Sequence, residues 1–256
     1  VARLRALPEI VAQHGELIVE RDPARPTGRL LRHGQMDSSY VDLADVTHLE
    51  FEYMRWLRIV LRAAHARRVL HIGGAACALP RALAAEWPGG RQEVCEIDAQ
   101  VLEVARAHLG LRRARGLRVR HVEGRAHLGA QADDSWQAVV IDAFAGEGGG
   151  QIPHALITVQ AATLAARVAP LTLVNVVDDR AARVVNRVSA AFATAYPLVW
   201  TLSGRIGNTI VVAGRTPLPL ERIAAAAAAD PAPPKLTGPA ATARQILSTP
   251  PLHDDR

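Results

Sequence analysis

From residue 67 onward the chain repeats one unit: a short run rich in Val, Leu and Ile, then an alanine-rich stretch of helical character. RRVLHIG is followed by LPRALAAEW, QEVCEID by AQVLEVARAHL, LRVRHVEG by RAHLGAQ, QAVVIDA by PHALITVQAATLAARV, and LTLVNVVD by RAARVVNRVSAAFATAY. Continuous apolar runs mark strands buried on both faces, and strands separated by helical crossovers run parallel. The alternation therefore predicts a doubly wound, Rossmann-like α/β sheet. PLVWTLS and NTIVVAG follow with a turn around Gly204 to Gly207 and no helix between them. They should close the sheet as a hairpin and place one antiparallel strand in it.

Ahead of this core, GELIVERD and GRLLRHGQMDSSYVDL are strand-like pieces separated by the turn-rich DPARPTG. They predict a small N-terminal β-hairpin unit over residues 1–46, before a helix near 47–64. The core then occupies 47–216. Residues 217–256 read as a short alanine helix running into a proline-rich tail, expected to pack loosely or not at all.

With 256 residues, 49% of them hydrophobic, the chain can bury a sizeable core. No apolar run approaches the roughly 18 residues of a membrane span, and VARLRALPEIVAQHG lacks the apolar core of a signal peptide, so a soluble cytoplasmic protein without a membrane partner is expected. Cys77 and Cys95 are too few for a disulfide scaffold and sit in apolar stretches, as buried free thiols do. The net charge of +5 is carried by arginines, Lys235 being the only lysine. The basic run LRRARGLRVRHVEGR has no interleaved aromatics for base stacking, which argues against nucleic acid as a partner. His71, inside an apolar strand, reads as a core residue, and no histidine shares metal-ligand spacing with cysteines or acids.

In an open parallel sheet, ligands bind beyond the carboxyl ends of the strands where the strand order reverses. Gly73 and Gly74 stand at the first such end, either as a tight turn or as a loop that lets backbone approach a ligand. Glu96, followed by Ile97 and Asp98, ends the next strand about twenty residues on, where a carboxylate can accept both hydroxyls of a ribose. Gly124 and Arg125 follow the third strand. Asp142 follows the fourth, ahead of a glycine-rich stretch able to move over a ligand. Asp142 either faces the cleft or caps the following turn. Ser38, Ser39 and Tyr40 either approach the cleft mouth or are turn residues.

The run from VLHIGG through CEIDAQVLEVARAHL, VRHVEGRAHL and VVIDAF, with the preceding GRLLRHGQMDSSYVDL and LEFEYMRWL, resembles the spermidine synthase family, especially its divergent bacterial branch. The similarity spans about residues 15 to 214. It implies a small N-terminal β-domain before a class I methyltransferase-type Rossmann fold. The implied activity moves an aminopropyl group from decarboxylated S-adenosylmethionine to an amine, without a metal and in a homodimer. By the same resemblance, Gly73 and Gly74 form the nucleoside loop, Glu96 with Ile97 holds the ribose, and Gly124 and Arg125 lie beside the donor. Asp142 takes the proton from the attacking amine, and Tyr53 and Asp37 line the substrate side.

The sequence also departs from the family pattern. Its loop of three glycines, an aspartate and a glycine continues here as Ala75, Ala76 and Cys77. Arg125 replaces an aspartate, the second aspartate of the fourth-strand motif is missing from DAFAGE, and Met54 and Arg55 follow Tyr53. A polyamine needs several carboxylates, so these changes keep three readings open. One is an aminopropyl transferase acting on an unusual amine. Another is a methyltransferase using S-adenosylmethionine itself, on a small anionic substrate that Arg55 and Arg125 would suit. The last is a nucleoside-binding protein without catalysis.

Overall fold

The computed structural model describes residues 8–144, 152–178, 182–204 and 207–254. Five strands run parallel, as the alternation requires: β5 (Arg68–Ile72), β6 (Arg91–Glu96), β7 (Leu117–His121), β8 (Ala138–Ile141) and β9 (Leu171–Asp178). The helices between them are α2 (Ala78–Glu86), α3 (Ala99–His108), α4 (Gly124–Gly129) and α5 (Val159–Val168). α6 (Arg183–Ala193) then leads to the hairpin β10 (Leu198–Ser203) and β11 (Gly207–Gly214). β11 inserts antiparallel between β9 and β10, so the sheet order is β7-β6-β5-β8-β9-β11-β10, with β12 (Lys235–Thr237) at the edge. The order reverses at β5, which pairs with β6 on one side and with β8 on the other. That switch point is where a doubly wound sheet opens a crevice.

Strand residues alternate between two apolar layers. Val69, Val94, Val140 and Leu173 join the layer with α1 (Glu52–Ala63), α2 and α3, while Leu70, Cys95, Val139 and Val174 join the layer with α4, α5 and α6. Period-two alternation with both faces covered explains why apolar residues stand next to one another along these strands instead of alternating with polar ones. His71 belongs to this interior: its Nε2 lies 3.0 Å from Gln92 Oε1, and burial lowers its pKa to about 4. It stays neutral as a core residue.

α1 presents Tyr53, Met54, Trp56, Leu57, Val60 and Leu61 to the interior, a spacing that keeps one helical face apolar. Ahead of it stands an antiparallel sheet of β1 (Glu9–His14), β2 (Leu17–Arg21), β3 (Gly28–His33) and β4 (Met36–Asp42). The sequence suggests the later strands but not β1, an exposed edge strand with little apolar alternation to reveal it. Ser39 and Tyr40 are buried in β4, and the Tyr40 hydroxyl donates to Asp22 Oδ2 at 2.7 Å. Among the described residues, no helix is long and apolar enough to cross a membrane.

The expectation of a loosely packed tail is corrected. α7 (Leu220–Ala228) buries Ile223 and Ala227, β12 pairs with β10, and α8 (Pro239–Ile246) follows. Asp230 accepts Arg55 Nε at 2.9 Å, and the carbonyl of Ala232 accepts Trp56 Nε1 at 3.1 Å. Farther on, Leu252 enters the layer of α5 and α6, and its carbonyl accepts the Val159 N–H at 2.8 Å. Composition misleads here because prolines end helices without preventing docking, and the anchors are single residues with no periodic pattern.

Candidate active site

Gly73 leaves β5 at φ 83°, and a Cβ there would lie 2.3 Å from the Asp142 carbonyl oxygen. Only glycine lets the ends of β5 and β8 meet so closely. The next residue, Gly74, faces Val94, whose Cγ1 would stand 2.3 Å from a Cβ. Beyond it Ala75 and Cys77 hold φ of 41° and 59°, so the loop keeps a left-handed path with side chains where the resembled family has glycine. Cys77 is buried, and burial with the nearby Glu96 charge pushes its pKa up to about 12, which leaves a neutral, unreactive thiol.

Glu96 holds this loop. Its Oε2 accepts the Gly74 and Ala75 N–H groups at 3.2 and 2.9 Å, and its Oε1 accepts the Asp98 N–H at 3.0 Å. Two carboxylate oxygens offer about four lone-pair sites, so acceptor capacity is left for a ribose hydroxyl beside the loop. The Asp98 side chain serves elsewhere, capping α3 by accepting from the Gln100 and Val101 N–H groups. Ile97, 66% exposed, sets an apolar side chain in solvent next to Glu96, a suitable face for a planar base.

Asp142 follows β8 at the switch point. Asn175 Nδ2 donates to its Oδ1 at 2.8 Å, and the Tyr53 hydroxyl lies close enough to the carboxylate to favour its charged form. Burial raises the Asp142 pKa to about 6, against the lowering effect of these two neighbours. Tyr53 itself is buried, and burial with the Asp142 charge drives its pKa well above the ordinary value, so it remains a neutral donor. The structure thus brings Tyr53, Gly73, Gly74, Glu96 and Asp142 to one edge of the sheet. Asn175 was not singled out from the sequence; the signal was a lone amide inside LTLVNVVD, since a buried amide in an apolar strand needs a partner.

Other candidates stand differently. A Cβ on Gly124 would meet Ile72 Cγ2 at 2.3 Å, so this glycine brings α4 against β5. Arg125 donates through Nη1 and Nη2 to the Asp254 carboxylate and through Nη1 to the Ala155 carbonyl at 2.9 Å. Arg55 faces Asp230 and the carbonyls of Leu49 and Glu50. Both arginines therefore already carry carboxylate partners from the C-terminal segment, which takes away the reason to expect a small anionic substrate. Asp37 stands at the start of β4, 3.4 Å from Arg32 Nε, with no hydrogen bond or ion pair to the cleft among the described residues. The glycine-rich stretch after Phe144 lies outside the described residues.

Neither a protein-family model nor a curated protein sequence matches the chain. Solved structures do resemble it. A probable spermidine synthase from Corynebacterium glutamicum is 23% identical, with 95% of each chain covered and a TM-score of 0.85. A spermidine synthase in complex with the transition-state analogue AdoDATO is 13% identical, over 94% of this chain and 83% of that one, with a TM-score of 0.64. Human methyltransferase-like protein 13, in complex with SAH, is 17% identical over 80% of this chain and 96% of that one, with a TM-score of 0.57. The chain thus has a spermidine synthase-like fold built on a methyltransferase-type core.

Proposed function

We propose that this chain is a transferase that binds an adenosyl-sulfonium donor and passes its aminopropyl group to an amine, with Asp142 as the proton acceptor. The observation that carries the reading is the half-buried Asp142 carboxylate at the switch point, bonded by the Asn175 amide, close to the Tyr53 hydroxyl and raised to about 6. A carboxyl group with that pKa is ionised at neutral pH yet basic enough to take a proton from nitrogen as its lone pair is used. In the step, nitrogen attacks the carbon beside sulfonium, the C–N bond forms, and the C–S bond breaks with its electron pair left on sulfur as a neutral thioether. The nitrogen's proton passes to Asp142.

Glu96 would hold the ribose, the loop from Gly73 to Cys77 would run beside the sulfur, and Ile97 would face the base. Similarity of fold to structures holding AdoDATO and SAH supports an adenosyl donor. Decarboxylated S-adenosylmethionine is the donor of the resembled family, but Ala76 supplies no acid for its amino end. Calorimetry with S-adenosylmethionine, its decarboxylated form and methylthioadenosine tests the reading. Tighter binding of the decarboxylated donor is expected. Preference for S-adenosylmethionine would turn the reading to methyl transfer, and binding of none of the three would leave a protein without this chemistry. In an active preparation, Asp142→Asn should lower turnover by about 100-fold to 10,000-fold.

A further inference from the structure

Asn175 is fully buried in β9 between Val174 and Val176, which are buried as well. A carboxylate only accepts hydrogen bonds, so the amide nitrogen must be the end that faces Asp142 at 2.8 Å. That assignment leaves Oδ1, and among the described residues Asn175 Oδ1 has no hydrogen-bond donor. Buried carbonyl groups are rarely left unpaired, and an apolar side chain in this strand would avoid the cost. The unpaired oxygen is attached to the same carbon as the nitrogen that binds Asp142, so it lies a short distance from that carboxylate.

We propose that Asn175 is a positioning residue for Asp142, its N–H orienting the carboxylate and its carbonyl oxygen reserved for a second N–H of the nitrogen that the carboxylate engages. The inference rests on the amine-transfer reading above. A hydroxyl nucleophile has one hydrogen and would leave the second acceptor unsatisfied. An unsubstituted amine fills both with its two N–H groups, and the two contacts fix the direction of its lone pair. Asn175 is then also a specificity residue that favours primary over fully substituted amines.

Two measurements test it. Carbon-13 NMR of aspartate-labelled protein follows the Asp142 carboxyl, identified by the signal that Asp142→Asn removes. Asn175→Leu, which keeps much of the side-chain volume in an apolar setting, and Asn175→Ala should each raise the titration midpoint by about one pH unit, because a donor to the ionised form is gone. An unchanged midpoint overturns the positioning role. Binding of n-butylamine and N,N-dimethylbutylamine is then compared. The wild type should prefer the primary amine, and Asn175→Leu should reduce that preference about tenfold. A wild type that binds both alike or neither, or a variant that keeps the full preference, overturns the acceptor role. The wild-type comparison needs no variant to fold. Methylthioadenosine binding, measured in parallel, reports on the donor site alone, so loss of the transferase reading stays distinguishable from loss of the Asn175 role.

Discussion

Arg125 and Asp254 are 129 residues apart in sequence, yet the guanidinium of one meets the carboxylate of the other beside the first turn of α4. Asp254 also accepts the Thr158 hydroxyl at 2.6 Å, while Leu252 O takes the Val159 N–H at 2.8 Å. The last described residues thus tie the starts of α4 and α5 together at the ligand edge of the sheet.

Truncation after Thr249 should loosen that edge. It removes Leu252, 6% exposed, whose loss from a packed layer is worth about 2 to 5 kcal/mol on the scale of buried leucine truncations. Asp254→Ala should have a smaller effect on global stability, because the pair is partly open to water and screened. Its mark is local: the Val159 amide should exchange with deuterium at least tenfold faster than in the wild type. Unchanged exchange there would mean that Leu252 alone seats the segment.

A second ion pair ties α1 to the C-terminal segment. Asp230 has only 5% of its side chain exposed and faces Arg55 on α1, two residues after Tyr53. Removing one member of so covered a pair leaves the other desolvated, and Asp230→Ala should cost about 2 to 4 kcal/mol, reduced toward the lower end because the Leu49 and Glu50 carbonyls still accept from Arg55. Chemical denaturation measures this directly. A loss below about 0.5 kcal/mol would place the pair with ordinary surface pairs.

The altered loop should tolerate the glycine of the resembled family. Ala75 at φ 41° occupies a region that costs a non-glycine residue about 1 to 2 kcal/mol. Glycine relieves it but adds freedom to the unfolded chain worth about 0.5 to 1 kcal/mol. Ala75→Gly should therefore be neutral or stabilising by up to about 1 kcal/mol, and affinity for methylthioadenosine should hold or improve. A marked fall in affinity would show that the alanine methyl contacts the ligand.

What the sequence made legible is what periodicity encodes. Most of the parallel strands showed themselves by their apolar content, and the ends of β5, β6 and β8 follow such runs directly, so Gly73, Glu96 and Asp142 could be placed at strand ends from the sequence. Long-range single contacts left no such trace. Asp230 and Asp254 sit in a tail whose alanines and prolines suggest looseness, and nothing local says that each meets an arginine from a distant helix. Arg55 and Arg125 accordingly look like free cations in the sequence and prove to be paired in the structure. Asn175 was legible in principle, because one amide among the six buried residues 171–176 asks what it bonds, but its partner follows another strand.

Glu96→Gln tests the join between loop and ribose site. The carboxylate accepts three backbone N–H groups, and an amide can accept through one oxygen only, so its nitrogen would face a donor. Charge-assisted bonds of this kind are worth about 1.5 to 3 kcal/mol each, and loss of one or two should lower stability by about 1 to 3 kcal/mol. Affinity for methylthioadenosine should fall at least about tenfold through the same group. Stability lost with affinity intact would make Glu96 a loop anchor alone.

The pH dependence of stability should carry the signature of Asp142. Burial holds its carboxyl at about 6, above the ordinary 3.8, so the folded chain binds this proton more tightly than the unfolded chain does. The resulting stabilisation is fully present below about 3.8 and is lost as pH rises through about 6. Above that, folding must bury a charge that Tyr53 and Asn175 compensate only in part. Asp142→Asn removes the titration while keeping the shape and an oxygen for the Asn175 amide. The variant should therefore gain on the wild type as pH is raised from 4 to 7, by roughly 2 to 3 kcal/mol, because a tenfold difference in proton affinity between the folded and unfolded chain is worth about 1.4 kcal/mol. Urea denaturation of both proteins across that range measures the difference. A constant difference would mean that Asp142 titrates as an ordinary carboxylate, and it would then be too weak a base for the proton transfer assigned to it. A difference that grows with pH, joined to lost turnover in the same variant, is what a residue kept for chemistry at a cost in stability should give.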